Sequence, residues 1–221
     1  QLIIVCAPEP PLSEALIDRY LVVAELIGAH ALLLVNKTDL LAPAALAHLR
    51  ERLAAYVQIG VDVLFTNTRD SAQAAVLAAH LNGRTSILVG QSGVGKSSLV
   101  RLLLPDAEIR IGQLSLASGL GRHTTTETTL YHLHDGGDLI DSPGVRDFQL
   151  WSVTPDELQR GFRELARYHG QCRFQDCRHN GEPACAVAAA VEHSDIDARR
   201  LASYRSLLQQ ALARDKQRYP S

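Results

Sequence analysis

"ILVGQSGVGKSSLV", residues 87–100, contains the most specific motif of the chain. Within it, Gly90 to Ser97 matches the pattern G-x-x-x-x-G-K-[S/T] in full, after an apolar run and before a helical pattern. Glycines allow backbone N–H groups to wrap phosphate oxygens, and the start of a helix adds positive potential. The segment therefore predicts a phosphate-binding loop between a strand and a helix. A Gly-rich turn without function is the alternative, which the complete motif in this context disfavours.

Nine consecutive residues of this loop are expected to surround the phosphates of a nucleotide. They are Gly90, Gln91, Ser92, Gly93, Val94, Gly95, Lys96, Ser97 and Ser98. Lys96 can reach the β- and γ-phosphates, and the hydroxyl of Ser97 can ligate Mg²⁺.

The pattern around the loop predicts an α/β fold. Apolar runs predict strands at 2–6, 31–35, 61–65, 86–90, 129–133 and 138–140. Helical patterns lie between them at 13–28, 43–58, 70–81 and 96–104. Strands that are apolar throughout are buried on both faces, so we expect an open sheet with helices on both sides.

Asn36-Lys37-Thr38-Asp39 follows the apolar run "ALLLV" and predicts a guanine-reading loop. The carboxylate of Asp39 can accept hydrogen bonds from guanine N1–H and from its exocyclic amine. Adenine would leave those bonds unmade, so such a site rejects it. Asn36 would brace the loop, and the stem of Lys37 would cover one face of the base.

A second loop that touches the base is expected after one more strand. "DVLFTNTRD" provides the strand and then a turn, from which we assign Asn67 and Thr68 to the base site. The match is loose, because the usual pattern at this place has Ser-Ala.

Two further segments predict the groups around the γ-phosphate. Asp141-Ser142-Pro143-Gly144 follows an apolar run, so Asp141 would hold Mg²⁺ and the Gly144 N–H would meet the γ-phosphate. "SGLGRHTTTETTLY", 118–131, has the composition of a switch loop, in which Thr125 is the favoured Mg²⁺ ligand and Thr124 or Thr126 are alternatives. A common turn and a Thr-rich linker are the respective alternatives.

The order of these motifs predicts a circular permutation. Ordinary GTPases begin with the phosphate loop and end with the guanine loop, whereas here the guanine loop precedes the phosphate loop. A fold tolerates such rejoining when its old termini are neighbours at the surface. We therefore predict a circularly permuted GTPase domain over residues 1–150.

The remaining residues, 151–221, predict a small helical domain with a metal site. "TPDELQRGFRELARYHG" has Thr154 as N-cap and is ended by Gly170, and a last helical pattern covers 195–217. Between them, Cys172-x4-Cys177-x-His179-x5-Cys185 supplies a full tetrahedral set for one structural Zn²⁺. Buried free cysteines are the alternative.

Composition limits the remaining possibilities. The chain has 221 residues and a formal charge of −2, which predicts no general attraction to nucleic acid or membrane. No apolar run approaches 18 residues, so no transmembrane helix is expected. The clustered cysteines are typical of a reducing compartment. The chain contains no Met, so we expect that it is a fragment or a trimmed chain.

With these motifs in hand, nearly all of the chain resembles the RsgA/YjeQ family of bacterial GTPases. The resemblance rests on "NKTDLL", "GQSGVGKSSLV", "SGLGRHTTT", "DSPGVRDFQLW" and "CRFQDCRHNGEPACAV". It implies GTP/GDP, Mg²⁺ and one Zn²⁺ as ligands, and late maturation of the small ribosomal subunit, which stimulates hydrolysis. It also implies an N-terminal OB-fold domain that contacts ribosomal RNA, which we expect to be absent from this chain because its first strand matches the start of the GTPase domain. We expect a monomeric cytoplasmic protein without a membrane partner.

His123 is the residue for which the resemblance implies a catalytic role. Many GTPases place Gln after Asp-x-x-Gly to orient the attacking water, but here Val145 follows and can neither donate nor accept. His123 precedes the threonines of the switch loop and resembles the catalytic His proposed for the family. A loop histidine that contacts RNA or solvent is the alternative.

Two other functions are compatible with parts of this pattern. A nucleotide-gated module that binds RNA or protein would use the same switch residues, with only incidental hydrolysis. An ATPase would use the phosphate loop alone and would not depend on Asp39.

Overall fold

The computed structural model describes residues 1–70, 72–104, 129–134, 136–141 and 153–218, without the side chains of residues 74, 129, 141 and 215–218. The strands are β1 (Leu2–Cys6), β2 (Ala31–Val35), β3 (Asp62–Phe65), β4 (Thr85–Val89), β5 (Thr129–His132) and β6 (Asp138–Asp141). The helices are α1 (Glu14–Leu26), α2 (Pro43–Gln58), α3 (Ala72–Leu81), α4 (Lys96–Leu103), α5 (Pro155–Gly161), α6 (Arg163–Ala166), α7 (Ala186–Glu192) and α8 (Ala198–Arg218).

These strands form one sheet in the order β3-β2-β1-β4-β6-β5. All neighbours are parallel except β5, which pairs antiparallel with β6. β1 and β2 are buried at every position, as their continuous apolar runs predict. The predicted α/β fold class is therefore confirmed.

The chain forms two compact units. The sheet unit comprises Gln1–Ser13, Ala31–Val57 and Val61–Phe148, and the helical unit comprises Glu14–His30, Gln58–Gly60 and Gln149–Ser221. α1 thus belongs to the helical unit, although it lies in the chain between two strands of the sheet. The domain boundary at residue 150 stays a prediction.

A main core of the sheet unit lies between one face of the sheet and two helices. Alternate residues of a strand point to the same face, so Ile3 and Val5 of β1 lie beside Leu32 and Leu34 of β2. Leu88 and Leu139 extend this face, and α3 and α4 cover it with Leu77, Leu81, Leu99 and Val100. Each such side chain contributes about 1.5–3 kcal/mol on burial.

The core of the helical unit includes Phe162 and Tyr204, whose rings meet edge to face with centroids 5.4 Å apart. The prediction of one helix from Thr154 to Gly170 is wrong, because Phe162 has φ −98° and ψ 88° and separates α5 from α6. A Cβ at Gly161 would lie 2.6 Å from Val22 Cγ1, so α5 approaches α1 closely. The break turns the Phe162 ring into the core.

α7 was not predicted from the sequence. Its seven residues, "AVAAAVE", directly follow Cys185 and bury Val187 and Ala190. In the described part of the chain, none of the helices combines the length and the apolar character needed to cross a membrane.

Candidate nucleotide and metal sites

The phosphate loop follows β4 and bends sharply at its glycines. Gly90, Gly93 and Gly95 have φ values of 136°, 85° and 99°, in the left-handed region that other residues rarely adopt. A Cβ at Gly90 would lie 2.1 Å from the carbonyl oxygen of Val5, and one at Gly95 would lie 2.2 Å from Asn36 Nδ2. Close contacts therefore leave no room for a side chain at the first and last glycines of the motif. The bends at these glycines allow backbone N–H groups to line the loop, as phosphate binding requires.

The residues at the end of the loop differ in exposure. Val94 is buried in the core of the sheet unit, whereas Ser97 and Ser98 are exposed in the first turn of α4. Lys96 Nζ donates to the carbonyl oxygens of Gly90 at 2.6 Å and Gln91 at 2.7 Å. The loop is thus anchored by an apolar side chain, and its only lysine folds back over it.

The predicted guanine loop lies directly against the phosphate loop. The Asn36 backbone N–H donates to Cys6 O at 2.8 Å, and its Nδ2 donates to Val94 O at 3.0 Å in a buried position. Lys37 has φ 59°, and its Nζ donates to Glu9 O at 2.9 Å. Because β1 lies between β2 and β4, the loops that follow these three strands meet at one edge of the sheet.

The second loop that is predicted to touch the base follows β3 and is hydrogen-bonded to the guanine loop through Thr66 and Thr38. Thr66 O accepts from the Thr38 backbone N–H at 3.2 Å and from Thr38 Oγ1 at 3.0 Å. The side-chain oxygen of Asn67 accepts from the Arg69 backbone N–H at 2.9 Å, which closes a turn around Thr68. Arg69 Nη1 in turn lies 3.1 Å from Asp39 Oδ2. Arg69, the one cation in "TNTRD", was not among the residues predicted for the base site.

The residues predicted around the γ-phosphate are only partly described. Asp141 is the last residue of β6, which runs parallel beside β4, so its backbone lies at the sheet edge from which the phosphate loop starts. The side chain of Asp141 lies outside the described residues. So do His123, Thr124, Thr125, Thr126 and Gly144, whose roles stay predictions.

The four predicted metal ligands come together. The ligand atoms of Cys172, Cys177, His179 and Cys185 all lie within 4.8 Å of one another. His179 Nδ1 is 3.6, 3.5 and 3.3 Å from the sulfurs of Cys172, Cys177 and Cys185 in turn. A tetrahedral Zn²⁺ with bonds of about 2.3 Å to sulfur and about 2.0 Å to nitrogen would space these atoms about 3.5 Å apart. The donor set and its spacing therefore fit zinc.

The neighbours of His179 select the nitrogen that faces the sulfurs. Gln159 Nε2 lies 2.8 Å from His179 Nε2, so this ring nitrogen is engaged by the amide while Nδ1 faces the sulfurs. Arg205 Nε donates to His179 O at 2.7 Å, and Tyr204 Oη donates to Arg178 O at 3.1 Å. These supports come from distant helices, so no local sequence signal could identify them.

Burial acts on the ionisation of two of the ligands. It lowers the pKa of His179, which favours the neutral imidazole that a metal requires. It raises the pKa of Cys177 to about 12, so a nearby cation is needed to hold this sulfur as a thiolate. Both shifts suit a site that forms with its metal.

Known proteins are similar in sequence to most of this chain. The model of the RsgA GTPase family matches residues 1–151. The small ribosomal subunit biogenesis GTPase RsgA 1 of Vibrio vulnificus (strain YJ016) is 47% identical over 209 residues, 95% of this chain and 59% of that protein. The small ribosomal subunit biogenesis GTPase RsgA of Chromohalobacter salexigens is 51% identical over 208 residues, 94% of this chain and 61% of that protein. The chain thus spans about three fifths of the length of these relatives.

Two solved structures are similar in fold and sequence. YjeQ from Thermotoga maritima superposes with a TM-score of 0.80 and 31% identity, over 96% of this chain and 71% of that one. YloQ, described as a circularly permuted GTPase, superposes with a TM-score of 0.79 and 28% identity, over 100% of this chain and 69% of that one. The permuted motif order predicted from the sequence is confirmed by these similarities.

Proposed function

Since the chain belongs to the RsgA GTPase family, we propose that it hydrolyses GTP as a switch in late maturation of the small ribosomal subunit, which stimulates the hydrolysis. The observation that carries the nucleotide part is the buried 3.0 Å hydrogen bond from Asn36 Nδ2 to Val94 O. It joins the guanine loop to the phosphate loop, so base and phosphates of one nucleotide can be held together. The partner, the small subunit and its ribosomal RNA, is carried over from the names of the relatives and from the family resemblance.

Base recognition is assigned to the loops after β2 and β3. The Asp39 carboxylate accepts from guanine N1–H and the exocyclic amine, and the stem of Lys37 covers one face of the base. Asn36 holds this loop against Val94. Asn67 and Thr68 border the other side of the base site.

Phosphate binding is assigned to residues 90–98. Backbone N–H groups of the loop donate to phosphate oxygens, and Lys96 exchanges its bonds to Gly90 O and Gln91 O for phosphate oxygens. Ser97, Thr125 and Asp141 hold Mg²⁺, which when bound neutralises charge that develops on the phosphates. The Gly144 N–H donates to the γ-phosphate.

His123 is proposed to orient the attacking water. Its neutral imidazole can accept a hydrogen bond from that water and so orient it. Since the residue after Asp-x-x-Gly is Val145 and not Gln, we expect slow intrinsic turnover and activation by a partner.

Cys172, Cys177, His179 and Cys185 are proposed to hold one structural Zn²⁺, with residues 151–221 as its helical domain and residues 1–150 as the GTPase domain. Elemental analysis should find about one zinc per chain, because the four ligands leave no position open for chemistry. Cys172→Ser should reduce that content. Zinc-free protein with unchanged stability would contradict the assignment.

The decisive experiment for the function is GTP turnover with and without small ribosomal subunits. It is run on this chain and on the longest form that its gene encodes, which we expect to act as a monomer in the cytoplasm. Stimulation by subunits and its loss in His123→Ala, at unchanged GTP affinity, are the expected results. Turnover that subunits leave unchanged would instead favour a nucleotide-gated binding module.

Base selectivity has its own test. Asp39→Asn should lose the preference for GTP over ATP, because an amide cannot accept both guanine hydrogen bonds. An unchanged preference would contradict the assignment of the guanine loop.

A further inference from the structure

Arg69 occupies one of the two oxygens that guanine recognition needs. Its Nη1 lies 3.1 Å from Asp39 Oδ2. The Asp39 side chain is only 20% exposed, whereas that of Arg69 is 79% exposed. The carboxylate is therefore the more buried partner of the pair, and the guanidinium is the more exposed one.

The geometry of the second base loop directs Arg69 to this carboxylate. Asn67 Oδ1 accepts from the Arg69 backbone N–H at 2.9 Å, and Asp70 O accepts from Gln73 N–H at 3.1 Å where α3 begins. Below the pair, Thr38 and Thr66 are joined by two hydrogen bonds, one from the backbone N–H and one from the hydroxyl of Thr38. The two loops thus have a fixed connection at Thr66 and a releasable one at Arg69.

Guanine and Arg69 both offer pairs of N–H donors to the Asp39 carboxylate. N1–H and the exocyclic amine of guanine present two parallel donors, and a guanidinium presents donors in a similar fork. A carboxylate paired with one fork has to release it, at least in part, to receive the other.

We propose that Arg69 competes with the guanine base for the Asp39 carboxylate and thereby lowers the affinity of the base site for guanine nucleotides. This inference rests on the proposed function, since it assigns a role within the same base site. Competition makes the entry of the base conditional on replacing an equivalent set of hydrogen bonds.

Competition predicts that removal of Arg69 strengthens nucleotide binding, whereas simple electrostatics predicts that it weakens binding. Loss of a positive charge near a phosphate-bearing ligand normally weakens binding. Loss of a competitor strengthens it, by about two- to fivefold, which corresponds to the free energy of an exposed ion pair. The advantage should shrink as salt rises, because salt screens the exposed pair in the wild-type protein.

The test is calorimetric titration of GDP into the wild-type chain, Arg69→Ala and Arg84→Ala. Arg84 is exposed and precedes β4, at the sheet edge opposite the phosphate loop, so it controls for the loss of one positive charge. We expect tighter GDP binding for Arg69→Ala alone, and a smaller difference at high salt. Unchanged or weaker binding by Arg69→Ala would overturn the inference.

A second arm tests whether the effect passes through the carboxylate. In an Asp39→Asn background the probe is xanthosine 5′-diphosphate, whose 2-carbonyl can accept from the amide of the new side chain. Arg69→Ala should then have no effect, since no carboxylate remains to compete for. An equal gain in affinity there would overturn the inference. Failure of the wild-type chain to bind GDP at all would overturn the proposed function itself, so the two failures are distinguishable.

Discussion

Gly95 is the residue at which the two halves of the nucleotide site meet most closely. Its backbone lies so near the Asn36 amide that a Cβ would be 2.2 Å from Nδ2. The same amide group donates to the carbonyl of the preceding residue, Val94. Gly95 is therefore required both for its φ of 99° and for the contact between the guanine and phosphate loops.

We predict that Gly95→Ala abolishes measurable GDP binding, because the new Cβ would push Asn36 off the phosphate loop. Gly83→Ala is the matched control. Gly83 also has a positive φ, of 68°, but a Cβ there would meet no atom within 4 Å. The control should lose about 1–2 kcal/mol of stability from backbone strain and keep its GDP affinity. Calorimetric titration and urea unfolding measure both quantities, and equal GDP affinities for the two variants would contradict the contact argument.

The geometry of several motif residues was predictable from the sequence, because the spacing within each motif constrains the local backbone. The loop glycines bend sharply, Asn36 contacts the phosphate loop, and the four predicted metal ligands cluster. Arg69 was not predictable, because an exposed arginine in a loop has no fixed partner until the fold brings Asp39 beside it. The same holds for the support of His179 by Gln159, which comes from another helix.

α5 begins with a capping box at Thr154, the N-cap that the sequence predicted. The Thr154 hydroxyl accepts from the Glu157 N–H, and the Glu157 carboxylate accepts from the Thr154 N–H at 2.9 Å. These hydrogen bonds to Thr154 lower the pKa of Glu157 below its ordinary value of 4.5. The length of the helix was not predictable, because the break at Phe162 accompanies burial of its ring against Tyr204, which no local pattern shows.

We predict that Thr154→Ala lowers the melting temperature by a few degrees near neutral pH, because the cap is lost. A carboxyl with a depressed pKa contributes stability above its unfolded pKa, near 4.5, and loses it as pH falls through its folded pKa. The difference in melting temperature between wild type and Thr154→Ala should therefore shrink as pH falls below the unfolded pKa of Glu157. Thermal melts from pH 3 to pH 7 measure it. In a Glu157→Gln background the difference should not vary with pH, and the same variation there would exclude this carboxylate as its source.

Three helical segments of the helical unit are joined by a buried charge cluster. Arg200 of α8 donates through Nη1 to Asp18 of α1 and through Nε to Glu164 of α6, the latter at 2.6 Å. Its guanidinium carbon also lies 4.4 Å from the centre of the Phe162 ring. A buried arginine between two buried carboxylates is costly to remove, because both carboxylates would lose its positive charge in a buried position.

We predict that Arg200→Met lowers the free energy of unfolding by about 3–5 kcal/mol. The neighbouring Arg199 is the control, since its side chain is 48% exposed and pairs with Asp197 and Glu14 at the surface. Arg199→Met should cost less than about 1 kcal/mol. Urea unfolding of both variants measures the difference. Equal losses would show that burial of the cluster does not determine its contribution.

The alternation of strands and helices along the chain and the permuted motif order were predictable, because they follow from local patterns and their sequence order. The grouping of α1 was not. A helix between two parallel strands is expected to pack with its own sheet, yet α1 clusters with the residues after 149. Its Val22 lies in the core of the helical unit, and its Asp18 pairs with Arg200. The pattern of α1 shows that the helix has an apolar face, but not which partner covers it.

A chain ended at residue 150 tests whether the predicted GTPase domain can fold alone. The cut removes α5 and α8, so the buried Val22 and Asp18 of α1 would lose their partners and become exposed. We predict that the truncated chain aggregates or unfolds at a lower temperature and binds GDP poorly. Replacing Val22 by Glu and Leu26 by Lys in the truncated chain should restore solubility, because both side chains belong to the face that the cut exposes. Light scattering, thermal melts and GDP titration measure these outcomes. A soluble chain of residues 1–150 with wild-type GDP affinity would instead establish the boundary at residue 150 and show that α1 does not need the helical unit.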